Sequence, residues 1–307
     1  MEELIKKNEK SSQKISRRDF ITKSSAAAAA FMIVPRYVLG GPGYTAPSDK
    51  INIAAIGVGG KGRSDIAAVA TENIVALCDV DDVKMFDTIK RAGEWAEEKG
   101  LSENPLTKVP RYKDFREMLD KQKDIDAVTV STPDHFHAVA AITAIKQGKH
   151  AFVQKPLTYS VDEAQKLSAA AKKAGVVTQM GNQGHAGEGI RLIGEWLKDD
   201  AIGEVREVHC WTNRPIWDTG MNRPAEIPSV PPTLDWNQWI GPAPFRPYHP
   251  DYAPWSWRAW CDFGTGALGD MGAHIFDIPY HTLKMDHPTS VFASSSKFNG
   301  ESWPVAS

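Results

Sequence analysis

The sequence predicts an α/β fold built on a doubly wound parallel sheet. Three observations carry that expectation. Short apolar runs alternate with helical stretches between residues 51 and 180, and the first run ends in a glycine-rich turn. A chain of 307 residues is also long enough for two domains of roughly 100–200 residues each. Composition agrees: 42% hydrophobic and 24% charged residues are ordinary for a globular protein, which excludes disorder, collagen or coiled coil as the main state. A net charge of −2 gives no bulk attraction to nucleic acid. The cysteines Cys78, Cys210 and Cys261 are too few for a disulfide framework and share no metal-ligand spacing.

Residues 1–49 read as an export segment and linker. Lys6, Lys7, Lys10, Lys14, Arg17, Arg18 and Lys23 outweigh four acidic residues and precede nine apolar residues, 26–34. That run is too short to span a bilayer, which needs about 20 residues, and the layout is that of a signal peptide. The stretch Ser16-Arg17-Arg18-Asp19-Phe20-Ile21 resembles the twin-arginine export motif, so the expectation is delivery to the periplasm without membrane anchoring. Substrates of that route cross the membrane folded, which suits a protein that loads its cofactor in the cytoplasm.

The apolar run 51–56 reads as a buried parallel strand. It leads into Gly57-Val58-Gly59-Gly60-Lys61-Gly62, a G-x-G-x-x-G pattern, and then a helix at 64–70. Gly57 permits the tight turn, Gly59 the approach of a pyrophosphate, and Gly62 close packing of helix on strand. A second strand, 74–78, ends at Asp79, 22 residues past Gly57, where a carboxylate binds adenosine ribose hydroxyls. This predicts NAD as cofactor. NADP remains open, because Lys61 and Arg63 are close enough to pair with a 2′-phosphate. Alternation continues with helices at 115–122, 138–147 and 164–174 and strands at 125–131, 150–153 and 176–180. Ligands bind at the carboxyl ends of such strands, where Thr132-Pro133-Asp134-His135-Phe136-His137 and Gln154-Lys155-Pro156 lie.

With these residues the chain resembles the Gfo/Idh/MocA family (glucose–fructose oxidoreductase / inositol dehydrogenase). The matching features are the glycine pattern, Thr132-Pro133 with His137, Lys155-Pro156, and Asp270-x-x-x-His274, in family order over roughly residues 50–300. The family's usual Glu-Lys-Pro is Gln154-Lys155-Pro156 here. The resemblance implies an N-terminal Rossmann domain, 50–158, and a substrate and oligomerisation domain, 159–307, with an open, mostly antiparallel sheet. Members usually continue further, so the second domain is expected to be incomplete, ending soon after a strand-like stretch at 291–297. It also implies a homo-oligomer.

The candidate catalytic residues are Lys155, Asp270 and His274. A lysine beside nicotinamide would hydrogen-bond a substrate hydroxyl and lower its pKa. Residues 267–284 read as one helix, kinked at Pro279, with Asp270, His274, Asp277 and His281 on one face. By the resemblance, His274 accepts the hydroxyl proton and Asp270 orients the substrate or the histidine. An i, i+4 Asp/His pair also suits zinc, but no third ligand is indicated, so no metal is expected. Gly57, Gly59, Gly60, Gly62, Asp79, Thr132, Pro133, His137 and Lys155 are the cofactor candidates, with capping of the following helix as the other reading of His137. Asn182 and His185 follow a strand end and are substrate-contact candidates. Seven of the ten tryptophans fall within 211–260, and Trp257 with Arg258 is placed to stack on a sugar ring and to bond its hydroxyls or a carboxylate. Packing of a long proline-rich loop is the competing use of those rings.

The expected function is an NAD(P)-dependent oxidoreductase acting on a secondary hydroxyl of a sugar or cyclitol. One alternative is a redox-assisted glycoside hydrolase or lyase with tightly held, internally recycled NAD. Another is a non-catalytic sugar-binding protein.

Overall fold

The computed structural model describes residues 45–304 apart from Lys99. The twin-arginine stretch and the apolar run after it lie outside the described residues. The chain divides into two compact units, 1–50 and 51–307. In the first, the described part holds one 3-10 turn, Pro47–Asp49. Everything below concerns the second. Among the described residues, no helix is long and apolar enough to cross a membrane.

The second unit is organised by six parallel strands: β1 (Asn52–Ile56), β2 (Asn73–Cys78), β3 (Arg111–Tyr112), β4 (Ala127–Val130), β5 (His150–Gln154) and β6 (Thr178–Gly181). Their order is β3-β2-β1-β4-β5-β6, and every pairing is parallel. Helices α1 (Lys61–Ala68), α2 (Asp82–Glu98), α3 (Phe115–Lys121), α4 (Asp134–Lys146) and α5 (Val161–Ala174) make the crossovers. The strands read as unbroken apolar runs because both faces are covered. Ala54 and Ile56 of β1 pack with Val128, Val130 and Val153 against Phe115, Met118 and Ile145. Ala55, pointing the other way, packs with Leu77 against Ile66, Met85 and Leu106. Helix α5 starts with a reciprocal cap, the Ser160 side chain accepting from the Glu163 amide, and ends at left-handed Gly175, φ 67°. Helix α5 packs on this sheet through Leu167 and Ala171 and β6 is its edge strand, so the sheet runs past the expected boundary at 158 to Gly181.

Beyond β6 come α6 (Glu188–Lys198), α7 (Trp236–Ile240), α8 (Gly266–Ile275) and α9 (Asp277–Thr282). A separate core of Trp217, Trp236, Trp239, Tyr252, Trp257, Trp260 and Phe263 forms without any sheet. The expected antiparallel sheet is not found: among the described residues the only sheet is the parallel one, with two isolated antiparallel bridges elsewhere. The stretch expected as a strand at 291–297 forms none: only Ser295 within it takes part in a bridge. Val291 and Phe292 there are 78% and 94% exposed. The single helix expected at 267–284 is instead two, broken at Phe276 rather than at Pro279. Proline supplies no N–H for the carbonyl four residues back, that of Ile275, and the first helix ends there. That carbonyl lies 3.6 Å from the Cys210 thiol, which donates to it.

Candidate active site

Strand order reverses between β1 and β4, and the loops leaving β1, β2, β4 and β5 open there onto one cleft of about 620 Å³. At one end lies the glycine turn. Gly57 has φ +78°, and a Cβ on it would sit 2.7 Å from the Ser131 carbonyl oxygen. A Cβ on Gly62 would strike the Gly57 carbonyl, so the first turn of α1 can lie against the strand only without one. A Cβ on Gly59 would meet the stem of Lys84 at 2.9 Å, while Gly60, φ +50°, faces open space. No side chain caps the start of α1; the Gly62 amide donates to the Gly59 carbonyl at 2.9 Å, and the neighbouring first-turn amides are left for an anion.

Asp79 closes this end. Its carboxylate accepts from the amides of Val58 at 2.8 Å and Gly59 at 3.2 Å, and from Asp81 N at 3.0 Å. Burial raises its pKa above the ordinary carboxylate value, and those three amides oppose the rise. Lys61 is bound to Asp65 at 2.5 Å and to Ser64 Oγ at 3.0 Å, and Arg63 to Asp87 at 2.8 Å. Both cations that would favour a 2′-phosphate are thus engaged elsewhere. The uncapped amides, the glycine cradle and a carboxylate at the end of β2 in the cleft lining fit NAD.

At the other end, Lys155 Nζ donates to Asp270 Oδ1 at 2.6 Å and to the Asp270 carbonyl at 2.9 Å. Both side chains are mostly buried, at 16% and 14% exposure. Arg258 Nε lies 3.5 Å from the same carboxylate oxygen. Its guanidinium sits 4.7 Å from the Trp255 ring centroid and 4.2 Å from that of Trp257. Thr132 and Pro133 line the cleft between the two ends.

His274 is one helical turn past Asp270, outside the cleft lining. Burial, and then the Lys155 charge, hold its pKa below the ordinary histidine value, with Asp270 and Asp277 opposing. It is therefore neutral at neutral pH, and none of the described residues hydrogen-bonds its ring. Asn182 and His185 also lie outside the lining. Asn182 Nδ2 donates to the Ala273 carbonyl at 2.6 Å, and His185 Nδ1 lies 3.0 Å from both Asp277 carboxylate oxygens. Both therefore hold α8 and α9. His137 does not reach the cleft: its ring nitrogens lie 2.7 Å from the Pro156 carbonyl and 2.9 Å from that of Thr132. It joins two strand-end loops instead.

Three arrangements were not anticipated. Buried Asp134 accepts from Thr265 Oγ1 at 2.7 Å and Thr265 N at 3.1 Å, at the start of the helix that carries Asp270. Burial raises its pKa. Buried His135 lies 3.2 Å from the carbonyls of both Phe263 and Trp239, and burial lowers its pKa to about 4. Gln154, at the place of the usual glutamate, donates through Nε2 to both oxygens of Asp65, at 3.1 and 2.9 Å. Ser131 Oγ donates to the same carboxylate at 2.7 Å. The one sequence cue was the run of polar residues after Pro133, where buried side chains require partners.

A sequence model of an oxidoreductase family with an NAD-binding Rossmann fold matches residues 51–182, and the C-terminal alpha/beta domain of the same family matches 204–298. A glycosyl hydrolase family 109 protein of Solibacter usitatus is 34% identical over 39% of this chain and 27% of its own length. The levoglucosan dehydrogenase of Pseudarthrobacter phenanthrenivorans is 26% identical over 54% of this chain and 34% of its own length. The matches thus span about a third or less of these two relatives. A crystal structure of an oxidoreductase domain protein from Kribbella flavida is 26% identical, covering 76% of this chain and 54% of that one, at a TM-score of 0.49.

Proposed function

The chain belongs to the Gfo/Idh/MocA family of NAD-binding oxidoreductases, and from that premise we propose that it oxidises a secondary hydroxyl of a sugar or cyclitol. The observation that carries the reading is the Lys155–Asp270 pair, held at 2.6 Å in the same cleft as Asp79 and the glycine turn. When bound, NAD supplies the hydride acceptor.

The protein's own residues do the rest. The ammonium of Lys155, steered by Asp270, donates a hydrogen bond to the reacting hydroxyl and stabilises the developing alkoxide. Neutral His274 takes the hydroxyl proton once the substrate bridges the gap from the cleft. The rings of Trp255 and Trp257 offer apolar faces to the sugar, and Arg258 between them bonds hydroxyls or a carboxylate. Asn182, Asp134 and His185 act through the helices they hold.

The glycosyl hydrolase family 109 relatives favour a second reading, in which the same machinery serves glycoside cleavage with no net redox change. Purified protein denatured to release its nucleotide, with the nucleotide identified by mass, tests the cofactor. Incubation with sugars and glycosides then separates the readings. Accumulation of NADH supports the dehydrogenase, and aglycone release without NADH supports the hydrolase. Neither product, across a panel of pyranoses and cyclitols, rejects both. The proposal extends to export by the twin-arginine route and to a homo-oligomer. Replacing Arg17 and Arg18 by Lys should keep folded, nucleotide-binding protein in the cytoplasm, and unchanged periplasmic delivery would remove that part.

A further inference from the structure

The adenosine half of the cleft is not formed by the Rossmann sheet alone. Residues 231–239, beginning fifty positions beyond β6, cross the end of β2. Asp82 N donates to the Thr233 carbonyl at 3.0 Å and Asp235 N to the Val80 carbonyl at 2.9 Å, framing an antiparallel bridge between Asp81 and Leu234. A second tie holds the far side. Gln238 Nε2 donates to Asp114 Oδ2 at 3.2 Å, and Arg116 donates to Gln238 Oε1 at 3.3 Å. Thr233, Leu234 and Gln238 then line the same cleft as Asp79, Val80 and Phe115.

The strap has its own anchor. Asp235 caps α7, its side chain accepting from the Gln238 amide at 3.0 Å. Trp236 and Trp239 of α7 are buried and stacked, with ring centroids 4.7 Å apart. Trp236 Nε1 donates to the Arg246 carbonyl at 2.8 Å. At Gly241, φ +52°, a Cβ would run into the Phe136 ring, so the turn leaving α7 is seated on α4. The strap is thus fixed at α7 by aromatic burial and the Gln238 side-chain amide, and across the end of β2 by two backbone bonds.

We propose that residues 231–239 form a strap that completes the adenosine subsite, Leu234 and Gln238 covering a nucleotide whose ribose is held by Asp79, and that nucleotide exchange requires the strap to lift off the end of β2. This rests on NAD occupying the cleft. It goes further in assigning cofactor retention to a segment outside the dinucleotide-binding domain. Retention of that kind is what a protein working where free nucleotide is scarce requires.

The geometry offers a reversible test. The two hydrogen bonds flank the Asp81–Leu234 pair rather than join it, so this is a non-hydrogen-bonded antiparallel pair, with Cα atoms about 4.5 Å apart. That spacing accepts a disulfide. In Asp81→Cys/Leu234→Cys protein loaded with NADH, release is followed by loss of nicotinamide fluorescence on dilution into excess NAD. The oxidised protein should release NADH at least tenfold more slowly than the same protein after dithiothreitol. In otherwise wild-type protein, Gln238→Ala should speed release several-fold without loss of helical circular dichroism. Equal release from the oxidised and reduced forms, with the disulfide verified by mass, together with unchanged release in Gln238→Ala, would overturn the strap while leaving the cofactor reading intact. Failure of the wild type to bind NADH at all would overturn both.

Discussion

The parallel sheet over residues 52–181 and the aromatic-rich stretch over 211–263 each enclose a buried core, yet the two cores are held by different means. In the sheet, backbone ladders set the geometry and small apolar residues such as Ala54, Ala55 and Ala76, all but inaccessible, fill both faces. In the second region the described residues include no ladder. There Trp236, Trp239, Trp260 and Phe263 pack edge to face or stacked, and the Arg246 guanidinium sits 5.1 Å from the Phe263 centroid. The repeating architecture carries the glycine turn and Asp79, while the irregular one brings Trp255, Trp257, Leu234 and Gln238 to the same cleft. A ladder fixes spacing whatever the side chains, whereas an aromatic core can follow any chain path that lets the rings interlock.

The largest expected effect breaks the two regions apart functionally. His274→Ala should lower turnover by roughly 10²–10⁴ while NADH binding survives, because the cofactor is held mainly by the sheet and its strap. The activity limb assigned to His274 should lie below the ordinary histidine value, since burial and Lys155 favour its neutral form. Activity should therefore be lost as pH falls through that limb and be insensitive in the variant. Turnover within tenfold of wild type, with the limb intact, would move the base elsewhere.

Next in size, Trp260→Ala should cost about 3–5 kcal/mol, because the side chain is wholly inaccessible and its cavity cannot close among rings. Calorimetry should show the loss, with the low-temperature transition assigned to the irregular region and nucleotide still protecting the sheet. A single transition shifted as a whole would mean that the two regions fold as one.

The tie between the regions is pH-sensitive. His135, neutral in the fold with a pKa lowered to about 4, binds a proton more readily when unfolded. Its contribution is therefore complete above its unfolded pKa of about 6.5 and is lost as pH falls through 4, at most about 3 kcal/mol. Melting curves between pH 7 and 4 should fall in that window, and His135→Gln should flatten the fall. An identical profile in the variant would remove His135 from the account.

The smallest effect lies inside the sheet. Gln154→Glu would set a second carboxylate about 3 Å from Asp65 and remove two donated bonds, costing about 1–3 kcal/mol at pH 8. Acid pH, at which the paired carboxyls share a proton, should restore part of the melting temperature. Equal destabilisation at both pH values would point to packing instead.

Legibility from sequence follows the same division. Five of the six strands, Asp79 at the end of β2 and the start of the helix that carries Asp270 were readable, because each is written in local periodicity or in a turn that only glycine permits; β3, Arg111–Tyr112, is too short to show a period. The meeting of the His137 ring with the Pro156 and Thr132 carbonyls was not legible, because a motif position says nothing of which carbonyls a ring will meet. The helix break at Phe276 was displaced by three residues from the proline that causes it. The antiparallel sheet was inferred from kinship, and among the described residues the only sheet is the parallel one.

By itself, then, the sequence determined the α/β alternation, the glycine turn and the residue types available for proton transfer. Those depend on φ, on side-chain period and on helix spacing, all properties of neighbours in the chain. Only the tertiary structure decided that Lys155 meets Asp270 across 115 positions, that Gln238 meets Asp114 across 124, and that Asp134 clamps Thr265. Such contacts hang on the path of the irregular stretch 204–265, which has no period to read and which is set by how its tryptophans fit together.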